Sequence, residues 1–109
     1  MAKIALQDFI KYGKLFDVYG KLLSADRQRI MSAYFEYNMT LAEIAKEKNI
    51  SRQAVLDAID KACQKLDEYE VALKFGARNE KISRRLNDLL HEDNLDDVKK
   101  KIEEIIKEI

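Results

Sequence analysis

The chain has 109 residues, 47% hydrophobic and 37% charged, which is enough apolar material for a core, while no apolar run reaches the ~18 residues of a bilayer span. Twenty Lys plus Arg balance twenty Asp plus Glu, so the basic surplus of a protein held to nucleic acid mainly through phosphates is excluded. A lone cysteine, Cys63, excludes an internal disulfide and a multi-cysteine zinc site. The first residues lack the pattern of a secretory signal, and a reducing, cytoplasmic setting is expected.

There is no proline and there are only three glycines, and the abundance of strong helix formers predicts an all-α chain folded as a single domain over residues 1–109. Within it we expect an N-terminal helix over 1–22, a core over 23–66 and a C-terminal helical extension over 67–109. The charge is unevenly spread: residues 1–23 carry four basic and two acidic groups, 24–66 seven and six, and 67–109 nine and twelve. An anionic partner should therefore meet the front half. The acidic extension should fold back over that front half or repel DNA, so that deleting residues 77–109 tightens non-specific binding.

Ile4, Leu6, Phe9, Ile10, Tyr12, Leu15, Phe16 and Tyr19 recur at helical spacing and predict an amphipathic helix that ends near Gly20, with its aromatics in the core. Ser24 is placed to cap a second helix over Ala25 to Tyr37, which Asn38 and Met39 interrupt. Thr40-Leu41-Ala42-Glu43 has the form of a capping box opening a short helix to about Lys48. Asn49 tolerates a left-handed backbone, and Ser51 is an N-cap for the next helix. From Ser51 the series Val55, Ile59, Ala62, Leu66, Tyr69, Leu73 continues without a breaker as far as Gly76, predicting one long helix whose second half needs its own packing partner. Ile82, Leu86, Leu89 and Leu90 mark a further helix, and residues 91–94 a loop. Leu95, Val98, Ile102, Ile105 and Ile109 mark a terminal helix with a seam suited to intrachain packing or a dimer.

Read together, Leu41 to Ile59 form a helix-turn-helix: Ala45 is small where the helices cross, Asn49 makes the turn, and Ile44, Ile50 and Val55 supply apolar contacts. A DNA reader of this shape presents the start of its second helix to base edges. Here these residues are Ser51, Arg52, Gln53 and Leu56, with Arg52 suited to guanine, Gln53 to adenine and Leu56 to a thymine methyl. Thr40, Lys46, Lys48, Arg27 and Arg29 are the candidate phosphate contacts. Asp57 and Asp60 on the same helix oppose phosphate, unless an acid accepts from a cytosine amine. Enzymatic chemistry is not expected. No Gly-rich phosphate loop or Ser/His/Asp set is present, the single His91 needs carboxylates to hold any metal, and Cys63 beside Ala62 reads as a half-buried structural thiol. Neither a cofactor nor a metal is predicted.

Leu15-Phe16-Asp17, Tyr19-Gly20, Leu22-Leu23, Gln28, Leu41 to Ala45, Ile50 to Val55, Asp57, Leu66 and Tyr69-Glu70 resemble the YlxM family of small bacterial helix-turn-helix proteins over residues 9–75. Members are typically encoded beside the signal recognition particle GTPase, so the resemblance implies a regulatory or accessory role in that pathway. The same stretch resembles region 4 of bacterial sigma factors. There Arg52 and Gln53 match contact positions, while Leu56 and Asp57 stand where those factors usually have Arg and Gln. These readings predict a sigma-like helix-turn-helix bundle with a long recognition helix, binding DNA as a regulator and pairing as a homodimer through the long helix and the tail. The alternative is an adaptor that binds RNA or protein of the signal recognition particle without reading bases.

Overall fold

A computed structural model describes residues 6–109, with side chains from Asp8 onward; Ile4 and the Leu6 side chain lie outside the described residues. The described residues form helices without strands: α1 Leu6–Tyr19, a 3-10 turn Gly20–Leu22, α2 Ala25–Phe35, α3 Leu41–Lys48, α4 Arg52–Leu73, α5 Phe75–Leu90 and α6 Leu95–Glu108. They fall into two compact units that meet in sequence at Lys74 and Phe75.

The first unit is a bundle built around α4. Val55, Ile59, Ala62 and Leu66 are fully buried, and α1, α2 and α3 supply Leu15, Phe16, Tyr19, Ile30, Met31, Ile44 and Ala45 to the same core. The aromatic stripe of α1 packs inward as its spacing requires, while Ile10, at the edge of that stripe, is half exposed. At the far end Phe9 stacks on Phe35 with centroids 4.8 Å apart. The partner required by the second half of α4 is α1. Two phenols join the helices: Tyr12 donates to Asp67 Oδ2 at 2.7 Å and Tyr19 to Glu70 Oε1 at 2.6 Å. Lys11 also pairs with Asp67, at 3.3 Å. At Gly20, where α1 passes into the 3-10 turn, a Cβ would stand 2.8 Å from the Phe16 ring, so the position favours glycine.

Cys63 lies in this core, 8% exposed. Burial is the main cause that pushes its thiol up to about 12. The nucleophile is the thiolate, so iodoacetamide at pH 8 should modify the native protein far more slowly than the urea-unfolded one. Equal rates in the two states would contradict the packing. Because the folded thiol holds its proton above the unfolded value, its contribution to stability is complete below about pH 8.5 and declines as the pH rises towards 12.

The long helix ends earlier than the glycine suggested. Lys74 takes a left-handed conformation with φ 58°, its N–H bonded to Glu70 O, and α5 begins at once with Phe75, so Gly76 is helical. The reason is tertiary. Tyr69 is the last α4 side chain packed on the core, and beyond it Val71 and Leu73 are 76% and 44% exposed, so the helix has lost its support where it turns. For the same reason the extension starts at residue 75 rather than 67. Its charge is then eight basic against nine acidic groups, because Asp67, Glu68 and Glu70 belong to α4. The expectation of a markedly acidic tail therefore loses its basis.

The second unit is a helical hairpin of α5 and α6. Asn94 caps α6, accepting from the Asp97 N–H at 3.2 Å, and Lys101 pairs with Glu92 at 2.8 Å. Arg78 donates to the carbonyls of Glu108 and Ile109, both at 3.3 Å, and Arg85 pairs with Glu108. These cations sit where the negative end of the α6 dipole favours them. Ile105 is the one buried side chain of the hairpin.

Candidate nucleic-acid interface

Every local signal between Thr40 and Ala54 is realised as hydrogen bonding. The Thr40 hydroxyl accepts from the Glu43 N–H at 3.1 Å, while Glu43 Oε1 accepts from the Thr40 N–H at 3.1 Å. The two bonds satisfy two orphan donors of the α3 start. The bond to the Thr40 backbone also holds the Glu43 carboxyl below its usual range. Removing the hydroxyl with Thr40→Ala should cost about 0.5–2 kcal/mol, read as a fall in the urea midpoint at constant slope; a change within error would remove the cap from the account. At the other end of α3, Asn49 is left-handed with φ 57°, and its N–H bonds the carbonyls of Ala45 and Lys46. Two residues later the Ser51 hydroxyl accepts from the Ala54 N–H at 3.0 Å and starts α4.

The crossing of the two helices is fixed by small and apolar side chains. Ala45 is 6% exposed, Ile44 1% and Val55 0%, as the helix-turn-helix frame requires. Ile50 departs from expectation: it is 40% exposed, because the turn residues lie outside the crossing.

The first turn of α4 is open. Ser51, Arg52 and Gln53 are all exposed, and no ion pair or hydrogen bond of the Arg52 and Lys46 side chains occurs among the described residues. Gln53 is partnered by a residue the sequence reading had set against DNA: its Nε2 donates to Asp57 Oδ1 at 2.9 Å. The bond orients the amide along the helix, leaving Oε1 and one N–H for another group. Leu56 is a correction. At 6% exposed it has no surface to offer a thymine methyl. It shares a stripe with Ile59, Cys63 and Leu66, three, seven and ten residues on, so the period that buries those residues buries it as well. The outward stripe runs instead through Gln53, Asp57, Lys61 and Gln64, all exposed. The spacing of three and four from Gln53 was the signal for Lys61, a cation the sequence reading left unassigned.

The expected phosphate contacts are only partly brought together. Lys48 lies 2.7 Å from Asp26 Oδ1 with its side chain 24% exposed, and the ammonium holds the Asp26 carboxyl below its usual range. Arg27 and Arg29, two residues apart on α2, point to opposite sides of that helix. Arg29 lines an open groove of about 710 Å³ in which the other charged residues, Glu36 and Glu47, are acids. Thr40 and Lys46 remain exposed.

A cap, a left-handed asparagine and a second cap that join α3 to α4 around a buried alanine make a helix-turn-helix, and residues 6–109 match a family model described as "Putative helix-turn-helix protein, YlxM / p13 like". The chain belongs to the UPF0122 family. It is 34% identical over 101 residues to UPF0122 protein FN1394 of Fusobacterium nucleatum, with 93% of this chain and 98% of that protein covered. Identity is 35% to a UPF0122 protein of Clostridium perfringens, covering 95% and 97% of the two chains. For UPF0122 protein BH2485 of Halalkalibacterium halodurans it is 39% over 84 residues, 77% of each chain. The family match spans both compact units, so the α5–α6 hairpin belongs to the family's sequence pattern. No helix among the described residues is long and apolar enough to cross a membrane.

Proposed function

We propose that this chain is a DNA-binding regulator that seats the first turn of α4 in the major groove. Arg52 is assigned to guanine, Gln53 to adenine, and Ser51, Thr40, Lys46 and Arg27 to phosphate. The carrying observation is the capped start of α4, which leaves Arg52 and Gln53 exposed on a helix whose opposite face, through Val55, Ile59, Ala62 and Leu66, is fixed in the core. Such a start directs its free N–H groups and the positive end of the helix dipole outward, as phosphate requires. With a net charge of zero, Lys48 on Asp26 and Arg29 in a groove it shares with Glu36 and Glu47, few cations are free for phosphate. The salt dependence of binding is therefore expected to be shallow, with a logarithmic slope equivalent to about three or four phosphates.

The YlxM likeness supports a finer reading in which the regulated process is the signal recognition particle pathway. The carboxylates of Asp57 and Asp60 on α4 favour a second reading from another class, an adaptor that binds a component of that particle. Selection of bound duplexes from a random pool separates the two. Enrichment of a defined sequence by the wild type supports the regulator. No enrichment, together with capture of particle RNA or GTPase by the same protein, replaces it with the adaptor.

A further inference from the structure

The second unit has more apolar surface than it buries. At about 100° per residue, the apolar stripe of α5 spans Ile82, Leu86, Leu89 and Leu90, and that of α6 spans Leu95, Val98, Ile102, Ile105, Ile106 and Ile109. On each helix only the inner edge is covered. Ile82, Leu89 and Val98 are half-buried and Ile105 is 5% exposed, whereas Leu86 and Leu90 on α5 are 48% and 79% exposed and Leu95 and Ile106 on α6 are 64% and 63%. The contact between α5 and α6 thus uses one side of two stripes that are each about 100° wide, and the outer edges form one continuous open face along the hairpin.

A unit of this size needs that face covered. It runs from Phe75 to Ile109, below the ~40 residues at which disulfides, metals or oligomerisation are usually required. The only cysteine lies in the other unit, and no cluster of three or more metal-binding side chains exists among the described residues.

We propose that the open face of the α5–α6 hairpin pairs with the same face of a second copy of this chain, forming a four-helix bundle about a two-fold axis. The charge pattern selects a copy over a partner recognised by charge. The cations of α5 that flank its stripe, Arg78 and Arg85, lie on the inner edge and are engaged by the end of α6. The outer edge of α5 is flanked by Asn79, Ser83 and Asn87, all exposed and uncharged. The outer edge of α6 carries Lys99 and Glu103, one of each sign and both exposed, so two α5 edges meet without opposing like charges and the α6 edges offer opposite ones; the unit as a whole is near neutral, with eight basic and nine acidic groups. Depletion of charge beside an apolar strip is the composition of an interface centre. The area sets the strength. A 14-residue helix is about 21 Å long, so two helices ~9–10 Å apart present roughly 400 Å² per copy in projection, about half the ~800 Å² per partner of a standard interface and in the range of weak, transient pairing. The dimer should therefore dissociate in the micromolar range. The pairing does not depend on DNA reading. If both hold, the dimer brings two copies of α4 to one DNA molecule.

Sedimentation equilibrium on the full chain without DNA tests the proposal. The wild type is expected to move from monomer to dimer between about 1 and 200 µM, and Leu90→Glu with Ile106→Glu to remain monomeric. Ser83→Glu alters only an exposed edge position, so its fold is not at risk; it is expected to weaken pairing at least tenfold, with the loss reduced at high salt. A wild type that stays monomeric throughout overturns the proposal, and so do substituted chains that dimerise as well as the wild type. A wild type that selects DNA but stays monomeric would overturn the interface alone, and one that dimerises without selecting DNA would overturn the reader alone.

Discussion

Replacing Ile59 by alanine should lower the stability of the first unit by about 2–5 kcal/mol. Ile59 is 0% exposed at the middle of α4, the helix against which α1, α2 and α3 all pack. The smaller side chain leaves a cavity bounded by several rigid helices, so relaxation from one side cannot fill it. A loss of this size is a large fraction of the ~5–15 kcal/mol that holds a domain of this class together. It should appear as a lower urea midpoint with unchanged slope. Val71→Ala, at a site 76% exposed on the same helix, should stay within about 0.5 kcal/mol. A loss below 1 kcal/mol at Ile59 would contradict a bundle centred on α4.

The second large effect is on recognition. Arg52→Ala and Gln53→Ala should each remove about 1–3 kcal/mol of discrimination at one base pair of the selected site, leaving affinity for random duplex nearly unchanged for Gln53. Arg52 should also lower the salt slope if its guanidinium lies close to phosphate. Asp57→Ala should act in the opposite direction on random duplex, raising affinity by removing a like charge from the outward stripe. It should also blunt the preference at the Gln53 position, because Asp57 Oδ1 holds the Gln53 amide at 2.9 Å. The readout is binding to the selected duplex and to single-base variants. Unchanged preference in both Arg52→Ala and Gln53→Ala would remove base reading from α4, and unchanged preference in Asp57→Ala would confine that residue to a charge effect.

The hairpin bears on this second result. If two copies pair through α5 and α6, loss of discrimination at one base pair is repeated in each half-site and the measured effect doubles in free energy.

Much of this was written locally in the chain. Thr40 with Glu43, Asn49 and Ser51 specify the start and end of α3 and the start of α4 through bonds that span three or four residues, so neighbouring side chains were enough to place them. The alternation of Val55, Ile59, Ala62 and Leu66 likewise determined which face of α4 is buried, because helical period alone decides which residues share a face. Other outcomes depended on residues far apart in sequence. That Ile50 is half outside follows from the angle at which the helices cross, whereas the burial of Leu56 lay in the period it shares with Ile59, Cys63 and Leu66. Lys48 is occupied because Asp26, on another helix, lies beside it, and α4 stops at Lys74 because its core neighbours end at Tyr69. Period and caps act through the backbone of one segment, whereas these depend on which helix stands opposite, and that is set only when the whole bundle packs.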